Sequence, residues 1–200
     1  MAFSAYPDPV AAEAPIGIFD SGTGALSVLR HVTSRLPSDH VLCFADSGNA
    51  PYGGKTDAEI IDRVLAIAAF LQTKKVKAIV VACNTATAAA IEALRQHYPE
   101  QIVVGVEPGV KPAAVFSKTG KAGVLATSST IASNRFKALC ERITATTGVE
   151  ILAQACPGLV DKIENGELDS PETIAMVESF VLPLLKNGAD TIALGCTHYP

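Results

Sequence analysis

The chain of 200 residues predicts an α/β fold of two similar lobes, each a parallel sheet flanked by helices, with the site in the cleft between them. Three observations carry this. Short apolar runs alternate with longer amphipathic stretches, the rhythm of strands joined by crossover helices. Hydrophobic residues are 48% and charged residues 18% of the chain, ample material for a buried core and not the composition of a disordered chain. The second half also echoes the first. Gly17-Ile18-Phe19-Asp20-Ser21 matches Gly123-Val124-Leu125-Ala126-Thr127, and Ile79 to Cys83 matches Ile192 to Cys196. The spacings are similar, 63 residues from position 20 to 83 and 70 from 126 to 196.

Taken in order, residues 1–14 (MAFSAYPDPVAAEA) read as a flexible tail, without the basic start and apolar centre of a signal peptide. PIGIFDSGTG is a buried strand that breaks on Asp20, Ser21 and glycines, and 25–36 is the helix after it. A strand over 40–46 leads into a loop, 47–56, thick with Gly, Pro and Asn. Thr56-Asp57-Ala58-Glu59 has the form of a capping box and opens a helix reaching Thr73. A strand over 77–83, a helix over 85–98 and a strand over 102–107 complete a first lobe, 15–107. In the second lobe, 108–200, strands are expected over 122–127, 149–152 and 191–196. Its helices are expected over 129–146, within 156–166, and from the Ser170 cap and Pro171 to Lys186, with a kink at Pro183.

Several function classes are disfavoured. A net charge of −4 with no basic run, 6% aromatics and no Trp argue against a nucleic-acid partner. No segment has the ~18 uninterrupted apolar residues of a membrane span. The cysteines, Cys43, Cys83, Cys140, Cys156 and Cys196, are odd in number and form no C-x-x-C pair, which suits reduced thiols in a cytoplasmic protein. SGNAPYGGK fits neither a P-loop nor GxGxxG, so no nucleotide is expected. Cys83, Cys196 and His198 are residue types that zinc accepts, but no fourth ligand accompanies them, and neither metal nor cofactor is expected.

In open parallel sheets ligands sit beyond the carboxyl ends of the strands. Asp20-Ser21, Cys83-Asn84-Thr85, Thr127 and Cys196-Thr197-His198 all fall at such ends. Two related lobes facing each other would set one cysteine on either side of a shared cleft. That suits removal of a proton from one face of a carbon and return of one to the other. Asp20 and His198 are natural proton partners for the thiols. Ser21, Asn84, Thr85 and Thr197, with backbone N–H groups at helix starts, can hold carboxylates without arginine. Cys43, Cys140 and Cys156 read as inert apolar residues, and His31, His40 and His97 as solvated or capping side chains.

Assembled in order, GIFDSGTG (17–24), ADSGNAPYGGKT (45–56), VVACNTATAAAI (80–91), CPGLVDKIENG (156–166) and LGCTHYP (194–200) resemble the glutamate racemases of the cofactor-independent aspartate/glutamate racemase superfamily. The resemblance implies that Cys83 serves as acid/base catalyst for one enantiomer and Cys196 for the other. Asp20 and His198 match supporting residues, with Glu164 a further candidate beside the second thiol. Asp20-Ser21, Tyr52-Gly53, Asn84-Thr85 and Thr197-His198 match substrate contacts, and Thr127 and Thr130 are further candidates for that task. It also implies glutamate as substrate, D-glutamate made for peptidoglycan, no cofactor, a homodimer, and an interaction with DNA gyrase known for some members. Aspartate racemase is the alternative within the family; Tyr52-Gly53 favours glutamate. Position 25 is Ala where members commonly carry glycine. Members also continue past the second cysteine with elements that complete the first lobe, whereas only Thr-His-Tyr-Pro follows Cys196 here. A truncated binding or regulatory protein without turnover is the alternative on that account.

Overall fold

The computed structural model describes residues 13–200; the tail assigned to 1–14 lies almost wholly outside them. The first sheet holds β1 (Ile16–Asp20), β2 (Val41–Ala45), β3 (Ala78–Val81) and β4 (Ile102–Gly105), all parallel in the order β2-β1-β3-β4. The helices between them are α1 (Ala25–Arg35), α2 (Asp57–Thr73) and α3 (Asn84–His97). All five residues of β1 are buried, as a central strand covered on both faces requires. On one face Phe19, Ile79 and Val81 meet Ile60, Val64 and Leu71 of α2 and Ile91 and Leu94 of α3. On the other, Ile16, Ile18 and Ala82 meet Val28, Leu29 and Val32 of α1. Full burial of each such aliphatic side chain contributes roughly 1.5–3 kcal/mol. Thr56 begins α2 with the reciprocal capping box that its sequence predicts, its hydroxyl accepting from the Glu59 amide while Glu59 accepts from the Thr56 amide.

The second sheet holds β5 (Lys121–Ala126), β6 (Glu150–Ala155) and β7 (Thr191–Leu194), parallel in the order β6-β5-β7. This is the order of β2, β1 and β3 in the first sheet. Phe19 pairs with Val81 and Leu125 with Leu194. Continued two residues, those registers set Ser21 beside Cys83 and Thr127 beside Cys196. The repeat seen in the sequence is therefore a repeat of strand pairs.

Several elements differ from expectation, and β3, β4 and β7 each stop two residues short of their expected ends at 83, 107 and 196. Helix α4 (Val110–Phe116) was not foreseen, because Pro112 disguises it; in a first turn proline is tolerated, since its missing N–H has no intrahelical partner there. The helix expected over 129–146 is two, α5 (Ser128–Ala132) and α6 (Asn134–Thr147). They break at Ser133, whose extended backbone (φ −64°, ψ 142°) lets its hydroxyl cap α6. Strand β6 runs three residues beyond its expected end at 152. Helices α7 (Leu159–Glu164) and α8 (Pro171–Lys186) follow, with α8 capped by Ser170 and continuing through Pro183. Val110, Ala113, Phe136 and Ile143 cover one face of this sheet and Leu159 and Leu184 the other. Among the described residues no helix is long and apolar enough to cross a membrane.

Candidate active site

Cys83 lies two residues beyond β3 and is the N-cap of α3. Its sulfur accepts from the Ala86 amide at 3.4 Å and its thiol donates to Ser21 Oγ at 3.6 Å. Ser21 Oγ donates in turn to Asp20 Oδ1 at 3.1 Å. Asp20 ends β1, has no exposed surface, and accepts also from the Gly22 amide at 3.1 Å and from Thr197 Oγ1 at 2.8 Å. The last contact crosses from the first lobe to the second.

Cys196 follows β7, with its sulfur 3.8 Å from His198 Nδ1. His198 Nε2 lies 2.6 Å from Glu164 Oε1. That carboxylate oxygen also accepts from the Thr23 amide at 2.8 Å and the Thr23 hydroxyl at 3.0 Å. Burial alone would raise the Glu164 carboxyl, but the Thr23 amide, His198 and the Thr23 hydroxyl together hold it below its ordinary value. It is thus ionised near neutral pH. His198 Nε2 also lies 3.4 Å from the Gly24 amide, which donates to it, and Nδ1 faces Cys196. Each thiol therefore starts a short chain that ends on a carboxylate: Cys83–Ser21–Asp20 and Cys196–His198–Glu164.

The lobes can approach this closely because of two glycines. A Cβ on Gly22 would stand 2.1 Å from Glu164 Oε1, and one on Gly24 would stand 2.5 Å from Thr197 Oγ1 and 2.7 Å from His198 Nδ1. A side chain at either position would displace the Glu164, Thr197 or His198 side chains that meet the first lobe here.

Both thiols are held protonated. Burial, then the Asp20 charge, pushes Cys83 up to about 11. Burial pushes Cys196 up to about 12, with Cys83 and Asp20 adding to the effect and the His198 amide opposing it. The two sulfurs are thus near enough for a charge on one to oppose ionisation of the other. Asp20 is itself raised above its ordinary value by burial, despite its hydrogen bonds to Thr197 and Ser21, which makes it a better proton acceptor.

A second cluster bridges the lobes beside the thiols. Thr85 Oγ1 lies 2.9 Å from Thr127 Oγ1 and 3.3 Å from Thr130 Oγ1, and Thr127 and Thr130 are 2.9 Å apart. Gly53 abuts Thr127, and its carbonyl accepts from Ser129 Oγ at 2.6 Å. A cleft of about 300 Å³ opens here, lined by Pro51, Gly53 and Gly54, by Thr127, and by Cys156, Gly158 and Asp161 among others.

Two of the residues expected to touch substrate have other partners. The Tyr52 ring is buried with its phenol donating to Asp46 at 2.6 Å, and the Asn84 amide donates to the Val106 carbonyl at 3.2 Å. Cys43 and Cys140, expected in the core, are half-buried, whereas Cys156 is fully buried. Thr23 and Asp46 escaped sequence reasoning. Thr23 lies 141 residues from the carboxylate it holds, and no local pattern announces such a pairing.

Residues 21–200 match the profile of the Asp/Glu/Hydantoin racemase family. The chain belongs to that family. Among members of this racemase family, the glutamate racemase of Stutzerimonas stutzeri is 51% identical over 187 residues, 94% of this chain and 70% of the relative. That of Pseudomonas aeruginosa PAO1 is 49% identical with the same coverage. Among solved structures, a Bacillus anthracis glutamate racemase superposes with a TM-score of 0.82 at 36% identity, covering 94% of this chain and 70% of that one. The Escherichia coli glutamate racemase, solved with L-glutamate and the activator UDP-MurNAc-Ala, gives 0.82 at 34% identity over 93% of this chain and 70% of that one. An aspartate racemase from Picrophilus torridus shares the fold, with a TM-score of 0.54 at 14% identity. The family's two-lobed racemase architecture is the one described above.

Proposed function

We propose that this racemase interconverts L- and D-glutamate by two-base proton transfer, with Cys83 and Cys196 facing the α-carbon from opposite sides. The observation that carries the reading is the paired arrangement. Two buried thiols stand at equivalent strand ends of two repeated lobes, each with its own hydrogen-bonded path to a carboxylate.

In one direction Cys83 gives its proton through Ser21 to Asp20 and becomes a thiolate. The thiolate removes the α-hydrogen, its electron pair remains on carbon as a carbanion stabilised by the adjacent carboxylate, and Cys196 delivers its own proton to the opposite face. Cys83 ends as thiol and Cys196 as thiolate; once product leaves, Asp20 releases its proton to solvent and a proton from solvent reaches Cys196 through His198, so both thiols and both carboxylates return to their starting states. The reverse reaction exchanges the roles. Each positioned acid or base is worth about 10²–10⁴ in rate. Exclusion of water from the closed cleft strengthens every charge interaction within it. The hydroxyls of Thr85, Thr127, Thr130 and Thr197, with the amides at the start of α3, supply donors for the substrate's carboxylates. No step calls for a cofactor. We assign the reaction to the cytoplasm, with D-glutamate destined for peptidoglycan, a reading supported by the bacterial glutamate racemases that the chain resembles.

The test is incubation with L- and, separately, D-glutamate in D₂O, following α-hydrogen exchange and optical rotation, with Cys83→Ser and Cys196→Ser alongside and aspartate as competing substrate. Racemisation of glutamate in both directions, lost in either variant, is expected. Absence of exchange from either enantiomer by the folded wild type refutes the proposal.

A further inference from the structure

Asp46 follows β2, is 5% exposed, and takes four hydrogen bonds on its carboxylate. Tyr52 donates to Oδ2 at 2.6 Å and Asn49 to Oδ1 at 3.0 Å. Arg63 Nε donates to Oδ2 at 3.0 Å and Arg63 Nη2 to Oδ1 at 2.7 Å. The backbone amide of Asp46 donates to the Asp20 carbonyl at 3.0 Å. One carboxylate thus gathers the end of β2, the tip of the loop 47–54 and a turn of α2. A nearly buried carboxylate without a matched cation is strongly unfavourable, and the planar fork of an arginine satisfies both oxygens at once. The loop tip fixed in this way is where Gly53 abuts Thr127 and accepts from Ser129. Gly53 and Thr127 both line the cleft.

We infer that Arg63 is a positioning residue: by clamping Asp46 it holds the loop 47–54 against Thr127 and Ser129, and so sets the affinity of the site for glutamate. The inference rests on glutamate binding between the two thiols and against the adjoining hydroxyl cluster; the cleft beside it holds Thr127 but neither of those sulfurs in its lining. Arg63 belongs to neither thiol–carboxylate chain, and among the described residues no hydrogen bond joins the hydroxyl cluster that its loop abuts to either sulfur. Its loss therefore weakens ground state and transition state alike, which raises KM and leaves kcat in place. Because L- and D-glutamate are equal in free energy, kcat/KM falls by the same factor in both directions.

The experiment compares the wild type with Arg63→Met, which keeps the stem and removes the fork, and with Arg63→Lys, which keeps the charge alone. For Arg63→Met we expect KM to rise roughly tenfold or more for both enantiomers, with kcat within about twofold of the wild type. Arg63→Lys falls between the two. Should the uncompensated Asp46 charge prevent Arg63→Met from folding, the pair Asp46→Asn with Arg63→Met removes it and is expected to show the same rise in KM. A folded variant with unaltered KM, or one that loses kcat at constant KM, overturns the inference. The wild type separates the two failures. No turnover by it refutes the racemase reading, whereas turnover by it together with a wild-type KM in the variants refutes the role of Arg63.

Discussion

Adding a single methyl group at Gly22 tests the proposed proton path from Cys196 without replacing any side chain in it. The Cβ of Gly22→Ala would stand 2.1 Å from Glu164 Oε1 and 2.9 Å from His198 Nε2. Ordinary carbon–oxygen contact therefore requires the carboxylate to retreat by roughly an ångström. The backbone at Gly22 is not left-handed, so alanine is not strained there, and the Glu164 carboxylate lies at the end of a flexible side chain. The fold survives and Glu164 swings away, losing its 2.6 Å contact with His198 and its two bonds from Thr23. Hydrogen bonds to a charged group are worth roughly 1.5–3 kcal/mol each. Loss of a positioned acid/base costs ~10²–10⁴ in rate, and we expect the lower end, ~10², because His198 remains. Racemisation followed by circular dichroism should fall by that factor in both directions. Alpha-hydrogen exchange in D₂O should persist for the enantiomer served by Cys83, since Ser21 and Asp20 keep their contacts. Gly48→Ala is the control, because a Cβ there meets nothing within 4 Å. A Gly22→Ala protein that racemises within about threefold of the wild type would refute the argument that Glu164 must hold His198.

Three further outcomes follow from the same geometry. The thiols of Cys83 and Cys196 are raised from an ordinary 9.0 to about 11 and about 12. The stability they confer is complete below pH 9 and is lost as pH climbs toward those values. Urea unfolding at pH 10 should show a loss on the order of 1 kcal/mol per thiol relative to pH 8, smaller in Cys83→Ser. Asp190 is lowered from 3.8 to about 2 by the Lys118 amide first, and also by the Ser117 hydroxyl and Thr119 amide. Its contribution is present above pH 4 and lost between 4 and 2, so Asp190→Asn should flatten acid unfolding monitored over that window. Leu94, fully buried in the first lobe's core, should cost about 2–5 kcal/mol when truncated to alanine, read as a lowered urea midpoint.

Much of this architecture is legible in the residues themselves. The strands are short apolar runs ended by small polar residues, and Thr56 and Ser170 announce their helices with side chains that cap them. The repeat that pairs Cys83 with Cys196 is visible because the two strand pairs need the same glycine and branched residues in register. Other features have no local signature. Helix α4 is hidden by Pro112, which a first turn admits. The break at Ser133 depends on one residue choosing an extended backbone inside a stretch whose apolar pattern runs on unbroken. At the site, the residue types and their places at strand ends can be read in advance. The bonds that tie Thr23 to Glu164 and Thr197 to Asp20 cannot. They exist only where two lobes meet, and composition along one stretch carries no information about what it will face.

The near-complete enclosure of both sulfurs, 5% exposed at Cys83 and 8% at Cys196, bears on how such a protein survives among oxidants. Peroxides and alkylating agents attack thiolates, and they need access to them. With the lobes shut, neither condition is met. The chemistry that makes a sulfur useful to a substrate is also what makes it vulnerable, and here it is withheld until something opens the cleft. If the proposed two-thiol reaction holds, the protein spends its idle time with both sulfurs unreactive.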